Sequence, residues 1–222
     1  MEEKDYSVEK LNLSNQRLKT LPDLTRYTNL KILNCSYNQL TQLYNLPQTL
    51  IELNCSYNQL IQLDNLPLTL EILYCNNNKI IHLDNLPLNL KKLNCSINKI
   101  TNLEHLPLNL KELDCSCNKI ICLEFLPSNL INLWCSHNYI IYLDDLPSTL
   151  IKLHCSCNQI TQIDYLPPNL IELHCWDNKI THLEYLPLTL EKLDCSRNQI
   201  THLDNLPSNV KELYCFHNPL IH

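Results

Sequence analysis

The chain of 222 residues contains no glycine and no alanine. Without glycine there is no glycine-rich phosphate loop, no G-x-G-x-x-G dinucleotide turn and no G-x-S-x-G nucleophile elbow. Collagen and Gly/Ser linkers are excluded on the same ground. Long apolar runs are missing as well, and the mean hydropathy of −0.19 argues against a membrane span. Positive charge is short: 17 Lys and Arg stand against 23 Asp and Glu, a formal net charge of −6. No basic stripe of the kind that holds phosphates is therefore expected, and no nucleic-acid partner. What is present is leucine at about a fifth of all positions, with Pro 12 and Cys 13. Apolar residues make up 45%, enough for a folded core rather than a disordered chain.

From residue 30 the chain aligns with itself every twenty residues without an insertion. Leucine recurs in register from Leu30 to Leu190, with Val210 closing the column. Cysteine recurs from Cys35 to Cys215, and proline from Pro47 to Pro207. A fourth column is Asn38, Asn58, Asn78, Asn98, Asn118, Asn138, Asn158, Asn178, Asn198 and Asn218. The unit reads L-x-x-L-x-C-x-x-N-x-(L/I)-x-x-(L/I)-x-x-L-P-x-(N/T).

In L-x-x-L-x-C the second leucine and the cysteine alternate inward with period two, so Leu33 and Cys35 share a face and Asn34 takes the other. That is a short strand, and successive strands then lie parallel at about 4.8 Å. The asparagine column stands where the backbone turns out of the strand. Its amides are expected to form a structural ladder, bonding backbone groups of neighbouring coils that burial would otherwise orphan. The (L/I)-x-x-(L/I)-x-x-L phase folds back over the core, and proline stiffens the return. Twenty residues leave too few for a full helix there, so 3₁₀ or extended segments are expected.

This pattern resembles the leucine-rich repeat family over nearly the whole chain. The twenty-residue length and the L-P step are similar to the short repeats of secreted bacterial effectors. The I-x-x-L-x-x-L phase also resembles internalin-like and phosphatase-regulator repeats. The composition, poor in Ala and Gly and rich in Asn, Ile, Lys and Tyr, resembles repeat proteins of giant DNA viruses such as mimivirus. The resemblance implies a leucine-rich repeat solenoid of the α/β horseshoe class, with a parallel sheet on the concave face and little or no helix. Residues 1–7 read as a short charged N-terminal cap and 8–222 as one domain of about eleven units, the first spanning 8–29 and the last incomplete. Two departures stand out: cysteine fills a core column, and Gln16 stands in the first unit where asparagine is expected.

The Met1–Asp5 stretch is charged, so no secretory signal is expected. A reduced, cytoplasmic setting follows, the host cytoplasm if the source is viral. The ten column cysteines then act as small core hydrophobes, because parallel side chains point the same way and not at each other. Cys117, Cys122 and Cys157 lie outside the column. Cys117, His137, Cys157 and Asp177 share a solvent-facing column, and His154, His174 and Asp194 share the next. Thiols two strands apart are about 10 Å from each other, too far for one zinc ion, so no metal and no cofactor are expected.

Function in a solenoid resides in its variable exposed positions. The first half is polar and repetitive, whereas the second half gathers the chain's two tryptophans among several histidines. The preferred contact surface is Trp134, His137, His154, His174, Trp176, Asp194, Arg197 and Tyr214, since Trp, Tyr and Arg dominate interface energetics. Neutral variation among exposed positions is the alternative. Glu52, Lys92, Glu112, Lys152, Glu172, Lys192 and Glu212 share a strand position and read as cross-strand ion pairs. The acidic row from Asp64 to Asp204 reads as turn capping, each carboxylate accepting an N–H two residues on. With no loop insertion to shape a pocket, no catalysis is expected. The expected function is an intracellular module binding an unidentified protein through its concave sheet, with no nucleic-acid or membrane partner. The alternatives are a structural solenoid, self-associating through an uncapped C-terminal coil, and a metal-binding His/Cys protein.

Overall fold

A computed structural model describes residues 6–221, so Met1–Asp5 of the charged N-terminal segment lie outside the described residues. Eleven three-residue strands form one parallel sheet in chain order. They begin with β1 (Lys10–Asn12) and β2 (Ile32–Asn34) and then recur every twenty residues. Those that carry the candidate site are β7 (Asn132–Trp134), β8 (Lys152–His154) and β9 (Glu172–His174), and β11 (Glu212–Tyr214) is the last. Register is constant: Leu133 stands beside Leu153, and His154 beside His174. The strands are short because only three residues per coil can pair in line before the chain must turn back within a twenty-residue lap.

The fold is the expected leucine-rich repeat solenoid, and among the described residues it contains no helix. The return is extended backbone with one tight turn per coil, closed by bonds such as Leu50 N–H to Pro47 C=O (3.2 Å) and Leu130 N–H to Pro127 C=O (3.0 Å). Proline suits this place: its φ is preset and its missing N–H is not needed there. The residue after each proline faces outward, leaving Leu68, Leu88, Leu108 and Leu188 exposed.

The core is a stack of identical layers. Leu110, Leu113, Cys115 and Ile120 of one coil are wholly buried, with Leu123 nearly so. Each such leucine contributes about 1.5–3 kcal/mol by leaving water. Nine column cysteines are buried, while Cys215, on the coil of β11, is only partly so because no further strand among the described residues covers it. The thiols of Cys55, Cys75 and Cys115 approach the carbonyl of the next coil at 3.4–3.5 Å.

Each column asparagine ties two coils. Asn118 Nδ2 donates to Cys115 C=O of its own coil (3.0 Å) and to Cys95 C=O of the preceding one (3.1 Å). Its Oδ1 accepts the buried Ile100 N–H at 2.9 Å. The same set recurs at Asn58, Asn138 and Asn198. A second ladder runs at the position two residues after proline. Thr149 Oγ1 donates to Leu130 C=O (2.7 Å), and Asn129 Nδ2 donates to Leu108 C=O (3.2 Å).

Two local expectations are corrected. The backbone turns out of the strand at the residue before the ladder asparagine, which takes a left-handed φ of 52–56° at Tyr37, Ile97, Cys117, His137 and Arg197. The acidic row does not cap its turns: among the described residues no backbone N–H donates to Asp64, Asp84, Glu104 or the later members, and Asp64 instead meets the Gln62 side chain. Those carboxylates are exposed, where water solvates them at no cost.

Candidate functional site

The strand position between the buried leucine and the buried cysteine must face solvent, because β side chains alternate. Trp134, His154 and His174 occupy that position on three successive strands, so the parallel register sets them side by side. The Trp134 and His154 rings meet edge to face at 6.0 Å, and the two imidazoles lie 4.3 Å apart. His137 meets Trp176 edge to face at 6.4 Å. Five of the eight residues singled out from the sequence thus form two aromatic groups, Trp134–His154–His174 and His137–Trp176. All but His137 are half-buried.

The other three stand apart. Asp194 Oδ1 accepts the Ser196 N–H at 3.1 Å and so shapes its own turn. Tyr214 meets Phe216 at 6.4 Å, and Arg197 is exposed without an ion pair among the described residues. A shallow depression bordered by Tyr74, Lys92, Glu112 and Asp114 adjoins Trp134. There Lys92 pairs with Glu112 at 2.9 Å and lies 5.9 Å over the Tyr74 ring. Lys152–Glu172 (3.1 Å) and Lys192–Glu212 (2.8 Å) repeat the cross-strand pairing.

Glu172 has a second role that its charge column concealed. Its Oε1 receives His154 Nε2 at 3.0 Å and His174 Nε2 at 3.1 Å. Burial, then the neighbouring His174, holds the His154 imidazole below its ordinary value of 6.5 despite that carboxylate. Burial works to raise Glu172, but the bonds from Lys152 and His154 outweigh it and leave its carboxyl below the ordinary range. His154, Glu172 and His174 are the one cluster among the described residues that brings three metal-ligating atoms within 4.8 Å of one another. The His154–His174–Asp194 column does not assemble in this way, since Asp194 is engaged in its turn. The signal in the sequence was E-x-H within one strand: residues two apart share a face, and His154 precedes them by one coil.

No family model matches the chain, and no curated protein matches it. Solved structures do. YopM, a leucine-rich effector protein from Yersinia pestis, matches with a TM-score of 0.89 at 32% identity, covering 95% of this chain and 60% of that one. A Shigella effector leucine-rich repeat domain matches with a TM-score of 0.61 at 32% identity, covering 68% of this chain and 70% of that one. The functional domain of InlJ from Listeria monocytogenes, which includes a cysteine ladder, matches with a TM-score of 0.77 at 30% identity, covering 96% and 54%. The chain therefore spans little more than half the length of the Yersinia and Listeria proteins. With an identity of 32% over 70% of the Shigella leucine-rich repeat domain, the chain belongs to the leucine-rich repeat proteins.

Proposed function

We propose that this chain is a non-catalytic binding module that engages a protein partner through the sheet face of its second half. The observation that carries the reading is the contiguous aromatic cluster of Trp134, His154 and His174, with His137 and Trp176 beside it. Partly desolvated Trp and His side chains on a rigid sheet lose little entropy on binding and present both apolar area and hydrogen-bonding atoms. Its position on strands rather than loops preorganises it. An intracellular setting is part of the proposal, because the column thiols that point at carbonyls of the next coil serve as core only while reduced.

The test is affinity capture with the intact chain and with a Trp134→Ala, Trp176→Ala double variant of matched thermal stability. The expected result is a partner retained by the intact chain and lost from the double variant. Equal capture by both removes this face from the reading. Self-association is a second reading, favoured by the exposed Leu213, Tyr214, Phe216 and Ile221 in and after β11. It predicts no captured protein and a sedimentation coefficient that rises with concentration.

A further inference from the structure

We propose that His154, Glu172 and His174 form a binding site for one divalent transition-metal ion of borderline softness, with zinc the best fit. The donor set is two imidazole nitrogens and one carboxylate oxygen, which suits zinc and leaves a fourth position for water or a partner's side chain. Geometry supports it. In a tetrahedral zinc site with bonds near 2.0–2.2 Å, ligand atoms lie about 3.3–3.5 Å apart. Glu172 Oε1 is already 3.0 and 3.1 Å from the two Nε2 atoms, and the three ligand atoms lie within 4.8 Å of one another. The three residues stand on two adjacent strands in fixed register, so the backbone already brings the donors together.

The frame beneath is rigid. His154 C=O accepts the Cys135 N–H, and His174 C=O accepts the Cys155 N–H, both at 2.8 Å. Access is from one side: the side chains of His154, His174 and Glu172 are 25%, 31% and 16% exposed. An ion held there keeps an open face, as in sites that exchange ligands, and is not sealed as in a structural zinc knot. The opposing charge is Lys152, whose ammonium sits 3.1 Å from the other Glu172 oxygen. That ammonium competes with a bound cation for the carboxylate and weakens the site relative to one without it.

The alternative is that the two imidazoles only hydrogen-bond to one carboxylate and bind nothing. Calorimetric titration of chelator-stripped, reduced protein with Zn²⁺ alone decides between them. One ion per chain is expected, weakened by more than about tenfold in His154→Gln and in His174→Gln. Lys152→Met, which removes only the competing charge, is expected to tighten binding about two- to fivefold. Because the chain has thirteen thiols, Co²⁺ serves as a second probe on the unaltered protein. Visible tetrahedral bands without thiolate charge-transfer absorption are expected. Binding no tighter than millimolar, thiolate absorption, or unchanged affinity in both histidine variants overturns the proposal. If a histidine variant does not fold, Lys152→Met and the cobalt spectrum still decide. Metal binding stands independent of the partner reading, since capture can fail while zinc binds and the reverse.

Discussion

Replacing Asn118 by alanine tests what holds one coil to the next. Its Nδ2 contacts Cys95 C=O, Cys115 C=O and Ser116 C=O, and its Oδ1 accepts Ile100 N–H. Removal does not orphan all four groups. Cys95 C=O keeps the Asn98 amide, Cys115 C=O keeps the Asn138 amide, and Ser116 C=O keeps Ile97 N–H. Ile100 N–H alone loses its acceptor, and Ile100 is fully buried. An unsatisfied buried N–H costs about 1–3 kcal/mol, and the weakened carbonyls add about 1 more, so the expected loss is about 2–4 kcal/mol. Urea unfolding followed in parallel by tryptophan emission and far-ultraviolet circular dichroism measures it. Trp134 stands on the strand next to Asp114 and reports locally. A loss below about 0.5 kcal/mol with an unchanged denaturant slope refutes the ladder as a source of stability. Asn118→Asp separates the two ends of the amide. It keeps an acceptor for Ile100 N–H but sets a carboxyl oxygen against three carbonyls, which raises its folded pKa. The stability it retains is therefore greatest at low pH and is lost as pH rises through that raised value.

Three further perturbations probe other links. Ile97→Asn relieves a β-branched residue held at a φ of 52° and is expected to stabilise the chain by about 1 kcal/mol, read as a higher unfolding midpoint. Leu113→Ala empties a fully buried position and costs about 2–5 kcal/mol by the same measurement. Alkylation at pH 8 followed by mass spectrometry is expected to modify Cys117, Cys122, Cys157 and Cys215 in the native protein and leave the nine buried cysteines until denaturant is added. Burial pushes Cys35, Cys75 and Cys155 up to about 12, so about one thiol in ten thousand is ionised at that pH. Cys157 reacts slowly among the four, its thiol pushed up to about 11 by burial and the Asp177 carboxylate.

The coil was readable because its constraints repeat. A leucine and a cysteine two apart, with asparagine three further on, recur ten times, and only a stacked parallel strand buries them all in one register. What was not readable lies where the constraint falls on backbone and the side chain is free. The left-handed position before each ladder asparagine is held by Tyr, Asn, Ile, Cys, His, Asp or Arg, and only at Asn77 and Asp177 does a turn-forming residue mark it. Its conformation is imposed by the bonds on either side, such as Ile97 N–H to Ser116 C=O and Asn78 N–H to Ile97 C=O. Tertiary hydrogen bonding thereby overrides a local preference worth about 1–2 kcal/mol per residue.

The candidate site divides along the same line. Column position alone placed Trp134, His154 and His174 side by side, since the register of a parallel stack leaves no other arrangement. Its column marked Glu172 as a cross-strand ion-pair partner of a neighbouring lysine, and the pair with Lys152 exists at 3.1 Å. A carboxylate has two oxygens, however, and column arithmetic counts each residue once. The free oxygen of Glu172 turns toward the column two residues on, where histidines happen to stand on both coils within reach. At Glu112 the corresponding neighbours are Asn94 and Asp114, so the same strand carboxylate meets no imidazole there. Chemistry in this solenoid therefore arises from the crossing of two columns, each of which is structurally ordinary alone. Exchanging His154 and His174 together for the asparagine found at the same strand position in earlier coils should leave the stack intact and remove the cluster's ligating atoms.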